Sequence, residues 1–105
     1  MNDWPRKTQR GSDVPLNTLR AFEAAARHMS IKKAAQELNL TPSAISHRLR
    51  VLEKCLGCRL LFRVGSHLEL TEAGEALAPA LTAGFARIME AVGDVRREQR
   101  KQQPA

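Results

Sequence analysis

Tyrosine is absent from this 105-residue sequence, and three Phe and one Trp are its only other aromatics. Single-stranded nucleic acid is held largely by bases stacking on aromatic rings, so the composition argues against a single-strand platform. No apolar run is long enough to cross a bilayer, and residues 1–15 (MNDWPRKTQRGSDVP) lack the apolar stretch of a secretory signal. A cytoplasmic location without membrane partners is the expectation. Cysteine is scarce too, with only Cys55 and Cys58, and both should stay reduced in that compartment. They form Cys-Leu-Gly-Cys, but zinc needs four ligands and a redox pair needs a thioredoxin-like strand and helix. Neither is visible, so a structural role is expected, with Cys58 in the core and Cys55 nearer the surface. There is no carboxylate pair, nucleophile–base set or phosphate-cradling glycine loop. Neither catalysis nor a cofactor is expected.

What the sequence does have is positive charge in one place. Between Arg27 and Arg63 lie eight basic residues: Arg27, Lys32, Lys33, Arg48, Arg50, Lys54, Arg59 and Arg63. Only Glu37 and Glu53 oppose them, and the difference equals the whole net charge of +6. Outside that window, acidic and basic residues balance. A solvated face would mix signs, so a basic middle third reads as a surface for a polyanion.

The apolar spacing organises the chain. Residues 1–15 contain Pro5, Gly11 and Pro15 and read as a flexible leader. Asn17 is a candidate cap for a first helix with Leu19, Phe22, Ala25 and Ala26 facing inward. Arg20, Glu23 and Arg27 fall mostly on its other side. Ser30 can cap a short second helix, whose Ile31, Ala34, Ala35 and Leu38 face the core and whose small alanines admit a close neighbour. After the tight Asn39-Leu40 connection, Thr41 caps a third helix with Pro42 at its first position, where a missing N–H costs nothing. Ile45, Leu49, Leu52 and Leu56 form its apolar stripe, and Gly57 ends it.

Two short helices joined this tightly make a helix-turn-helix. The outer face of the third helix carries Ser43, Ser46, His47, Arg50 and Lys54. Short hydroxyls let a helix approach bases closely, while His47 and Arg50 can reach base edges or phosphates. Lys32 and Lys33 open the second helix, where positive charge opposes the dipole, which favours a phosphate role. Arg59–Arg63 and Leu68–Leu70 read as two strands around a Val64–His67 turn, making a wing with Arg63, Ser66 and His67 towards its tip. Thr71 caps a last helix, with Glu72 and Glu75 suiting its first turn. Its stripe Leu77, Leu81, Phe85, Ile88, Val92 and Val95 reaches to about Arg97, roughly 40 Å at 1.5 Å per residue. One small domain cannot cover such a length, so a partner helix is implied. Pro79 should bend it or disturb one turn.

The expected architecture is mostly α: a winged helix-turn-helix over 16–70, with three helices and a two-stranded wing. A long linker and dimerisation helix follows over 71–98, and a frayed tail over 99–105.

These residues resemble the LysR-type transcriptional regulators from Leu16 to about Val92. The resemblance rests on Leu19-Arg20-Ala21-Phe22, Ala34-Ala35-Gln36-Glu37-Leu38, Thr41-Pro42-Ser43-Ala44-Ile45-Ser46, Leu52-Glu53 with Leu56-Gly57, and Leu70-Thr71-Glu72-Ala73-Gly74. Pro15-Leu16-Asn17 and Ala24-Ala25-Ala26-Arg27-His28 resemble the branch of glycine-cleavage activators and β-lactamase regulators. The resemblance implies sequence-specific binding of duplex DNA at an inverted-repeat-like promoter site, by a homodimer paired through the long helix. Higher oligomers are compatible with it. Pro42, Ser43, Ser46 and His47 would then read bases. Lys32, Lys33, Thr41, Arg50 and Lys54 would serve the DNA backbone, with Arg63, Ser66 and His67 in the wing. Leu61 departs from the usual wing phenylalanine, Ser66 from a common arginine, and His47 from a frequent Arg or Gln. Family members usually continue into a two-lobed sensor domain, whereas this sequence ends at Ala105, so no small-molecule inducer site is expected within it. A rival reading is a truncated modulator that forms mixed dimers with a full-length regulator while its basic face stays idle.

Overall fold

Each helix in the computed structural model, which describes residues 13–102, starts or stops for a local reason. The first, α1 (Leu16–His28), follows Pro15, which holds the cap position with extended backbone and no capping side chain. Asn17 is therefore not the cap. Thr18 secures this end instead, its Oγ1 donating to the Pro15 carbonyl at 2.7 Å and its amide to the same oxygen at 3.0 Å. The second, α2 (Ile31–Leu38), is capped by Ser30, whose side chain accepts from the Lys33 amide at 3.0 Å. It ends at Asn39 in the left-handed region, a conformation asparagine tolerates better than most residues. The third, α3 (Pro42–Leu56), begins as expected. Thr41 Oγ1 accepts from the Ala44 amide at 3.1 Å, Pro42 opens the helix, and Gly57 closes it at φ 74°.

The alanines of α1 explain the packing. Ala21, Ala24 and Ala25 are at most 1% exposed and Phe22 is fully buried, so α2 and α3 both approach the α1 backbone closely. Ala34, Ala35, Ile45, Leu49 and Leu52 meet them from the other two helices. Leu56 does not: it is 41% exposed, because the last turn of α3 runs past the edge of the core. Cys58 is also exposed, contrary to expectation, while Cys55 is exposed as expected; both are free thiols. The chain turns into the core only two residues later, at Leu60 and Leu61, which are buried.

The wing is a two-stranded antiparallel ribbon of β1 (Leu61–Val64) and β2 (His67–Leu70), with Leu61 opposite Leu70 and Val64 opposite His67. Its turn is only Gly65-Ser66, shorter than the Val64–His67 turn read from the sequence. Gly65 at φ 62° lets two residues reverse the chain, so Val64 and His67 join the ladder. Arg59 and Leu60 lie ahead of the first strand rather than in it.

Thr71 joins wing to last helix. Its hydroxyl donates to the Arg59 carbonyl at 2.7 Å and accepts from the Gly74 amide at 3.1 Å, while its own amide donates to the Leu60 carbonyl at 3.0 Å. Any side chain at Gly74 would collide with that Leu60 carbonyl. From there α4 (Glu72–Gln102) continues for 31 residues, about 46 Å. Pro79 lies within it without ending it, and residues 99–102 remain helical where fraying was expected. The leader over 1–15 falls largely outside the described residues, as does the end of the tail.

Candidate nucleic-acid interface

The outer face of α3 is presented to solvent by the burial of its opposite side. With Ile45 and Leu52 fully buried and Leu49 8% exposed, Pro42, Ser43, His47 and Arg50 are exposed and Ser46 is half-buried. The Thr41 hydroxyl oxygen accepts in its cap and lies 3.3 Å from Ser43 Oγ, which leaves its own O–H free to donate. Lys32 and Lys33 are exposed at the start of α2, and Arg63, Ser66 and His67 are exposed on the wing.

These three elements converge. A cleft of about 630 Å³ is lined by Lys32 and Lys33 from α2, Pro42, Ser43 and Ser46 from α3, and Arg63, Ser66 and His67 from the wing. A second cleft of about 390 Å³, between α3 and the wing, brings Ser46 and Arg50 together with Arg63. His47, Thr41 and Lys54 line neither. His47 stands further round the exposed face of α3, and Lys54 lies a turn beyond Arg50. At the wing, His67 Nε2 pairs with Glu69 at 3.1 Å.

Two residues of the basic window have acidic partners. Arg27 is bound on two sides: its Nε and Nη2 donate to the Glu23 carboxylate at 2.8 and 3.0 Å, and Nη2 also donates to Glu37 at 2.8 Å. Arg59 pairs with Glu53 at 3.5 Å, while Glu53 Oε2 also accepts from the Leu60 amide at 2.7 Å and the Leu61 amide at 3.2 Å. Arg27 is thus engaged within the fold, whereas Arg59, with its side chain 70% exposed, also lines the cleft between α3 and the wing. Lys32, Lys33, Arg48, Arg50, Lys54 and Arg63 have no carboxylate partner among the described residues.

Sequence reasoning placed Glu23 on the outer side of α1, yet it is only 6% exposed. Hydrogen bonds from Arg27, chiefly, hold its carboxyl below the ordinary value against the opposing effect of burial. Glu37 is drawn down to about 2, again mainly by Arg27 and with help from His28, whose Nε2 lies 2.7 Å from Glu37 Oε1. The two carboxylates reciprocally raise Arg27. The Glu23-to-Arg27 spacing of four was a legible sign of this pair.

A helix-turn-helix whose exposed second helix stands beside a two-stranded wing defines a winged helix-turn-helix domain. The family described as "Bacterial regulatory helix-turn-helix protein, lysR family" matches residues 16–75. That is more than half of the sequence, and the chain belongs to this family. An HTH-type transcriptional activator AmpR from Yersinia enterocolitica is 53% identical over 79 residues, covering 75% of this chain and 27% of that protein. A glycine cleavage system transcriptional activator homolog from Haemophilus influenzae is 46% identical over 77 residues, covering 73% and 26%. The chain thus spans about a quarter of the length of these relatives, whose names both describe transcriptional regulators. The crystal structure of a BenM_DBD/catB site 1 DNA complex is similar with a TM-score of 0.73 and 26% identity, covering 81% of this chain and 96% of that one. No helix among the described residues is long and apolar enough to cross a membrane.

Proposed function

We propose that this chain binds duplex DNA with sequence preference, as a dimer, and is the DNA-contacting part of a transcriptional regulator. The observation that carries the reading is the exposed start of α3, with Ser43, Ser46 and His47 flanked by cations that no carboxylate neutralises. Pro42, Ser43, Ser46 and His47 read base edges in the major groove. Lys32, Lys33, Thr41, Arg50 and Lys54 hold phosphates, and Arg63, Ser66 and His67 add contacts from the wing. The likeness to a domain solved on DNA supports this docking.

The long helix supports pairing. Leu77 and Leu81 pack on the domain's own core, but Ile88 and Met89 are 51% exposed and Val95 61% exposed. With Val92 they form an apolar face along the second half of α4, which the same face of a second copy covers. The stripe therefore serves two surfaces: Leu77, Leu81 and Phe85 inward, and the residues from Ile88 onward towards the partner. Two α3 helices related by a two-fold axis then meet an inverted-repeat-like site.

Selection of bound sequences from a random duplex library, with light scattering on the complex, tests this reading. The expected result is a two-fold symmetric motif bound by a dimer, with affinity falling steeply as salt rises because phosphate contacts release counterions. A chain that forms mixed dimers with a full-length relative but selects no motif contradicts it and favours the modulator.

A further inference from the structure

The second half of α4 can pair copies in one defined arrangement only if its first half is held rigidly on the domain. Apolar contact does not do this alone. Leu77, Ala78 and Leu81 lie against the core, but hydrophobic attraction is non-directional and tolerates sliding and tilting. Two polar contacts with directional geometry tie α1 to α4. Thr82 Oγ1 donates to Glu23 Oε2 at 2.8 Å, and the Arg20 guanidinium sits 5.6 Å from the centre of the Phe85 ring. Both contacts involve residues three apart on each helix, so they fix two points one turn apart. Glu23 in turn is gripped by Arg27, which reaches Glu37 on α2. A continuous polar chain thus runs from α4 through α1 to α2, the two helices against which α3 packs.

A buried carboxylate is an expensive way to stabilise a small core, and a hydrophobic residue of similar size commonly serves as well. We infer that Glu23 is a positioning residue that fixes the angle of α4 against the helix-turn-helix and so sets the half-site separation that the dimer accepts. The inference rests on the dimeric DNA-binding reading above. The lever is long. Val95 lies 13 residues beyond Thr82, about 20 Å along the helix. A tilt of about 10° at Thr82 moves Val95 by ~3.5 Å, roughly one base-pair step. Small errors at Glu23 therefore become register errors between the two reading helices.

The test uses the full chain and duplexes carrying the selected half-site twice, with the separation varied one base pair at a time, beside a duplex with one half-site. The wild type is expected to prefer one separation. Thr82→Val removes the hydroxyl and keeps the bulk; Glu23→Gln keeps the shape and removes the charge. Both are expected to lower the ratio of best to neighbouring separation by at least about fivefold, the low end of coupling between distant sites. Affinity for the single half-site should be unchanged, and Thr82→Ser should restore the ratio. Thr18→Ala, which loses a buried hydrogen bond at the start of α1 that does not involve α4, should lower stability and leave the ratio intact. A folded Thr82→Val protein with the wild-type ratio overturns the inference, including where Glu23→Gln fails to fold. A wild type that shows no preferred separation, or binds as a monomer, overturns the dimeric reading and this inference with it.

Discussion

Arg27 and Arg50 are the same residue type in the same basic stretch, yet their surroundings give them opposite duties. Arg27 lies on α1 between Glu23 and Glu37, and both of its charge-assisted contacts are made within the fold. Arg50 stands exposed on α3 with no acidic partner among the described residues, in a cleft shared with Ser46 and Arg63. A count of charges along the chain assigns both to one polyanion surface. Geometry divides them: an arginine held between a buried and an exposed carboxylate is engaged within the fold, and one facing solvent beside hydroxyls is available to a ligand. The difference teaches that the net charge of a segment bounds its electrostatic reach without saying which cations supply it.

The largest effect that can break this comparison is on stability. Arg27→Ala strands Glu23, whose side chain is 7% exposed, without its main partner. Removing one member of a fully buried pair costs about 3–5 kcal/mol; with Arg27 itself 41% exposed, about 2–3 kcal/mol is expected. Urea unfolding measures it, and an unchanged midpoint would return Arg27 to the DNA surface. His47→Ala is expected to leave that midpoint within about 0.5 kcal/mol of wild type. It should instead reduce discrimination between preferred and random duplex by ~1–3 kcal/mol. An unchanged preferred-to-random ratio would remove His47 from the reading set.

Acid sharpens the same contrast. Glu23 and Glu37 titrate lower when folded than the ordinary carboxyl value of 4.5, Glu37 at about 2. Groups so depressed stabilise the fold above their unfolded value and lose that contribution as protons bind. Melting temperature should therefore fall as pH drops from about 4.5 towards 2, and Glu37→Gln should flatten the fall. Lys32→Ala is the smallest perturbation. It should weaken preferred and random sequences alike and reduce the slope of log affinity against log salt by about 1, with no change in melting.

The comparison also marks what the sequence could disclose. Helices α2 and α3 were legible because their caps are local: Ser30, Thr41-Pro42 and Gly57 act within a few residues. The stripe of Ile45, Leu49 and Leu52 then fixed which side of α3 faces outward, and the positions expected to read bases lie on that side. Leu56 and Cys58 were misplaced because periodicity does not say where a core ends, and only the contacts of the neighbouring helices do. Asn17 is a favoured cap by residue type, but the chain enters α1 two residues earlier, with Pro15 at the cap. The spacing of Glu23 to Arg27 announces their pair but not the burial of the carboxylate, because its second donor, Thr82, is 59 residues away on α4. The convergence of α2, α3 and wing on one cleft is likewise a product of tertiary packing. Residue types along the chain named its members without bringing them together.

Amide chemical-shift mapping of the chain against its selected duplex tests the central claim most directly. The account expects the largest changes at Ser43, Ser46 and His47, with further changes at Lys32, Lys33, Gly65 and Ser66. The amides of Glu23, Arg27 and the buried alanines of α1 should stay where they were. Saturable binding with its largest shifts on the Glu23–Arg27 side, and none at the start of α3, would contradict it.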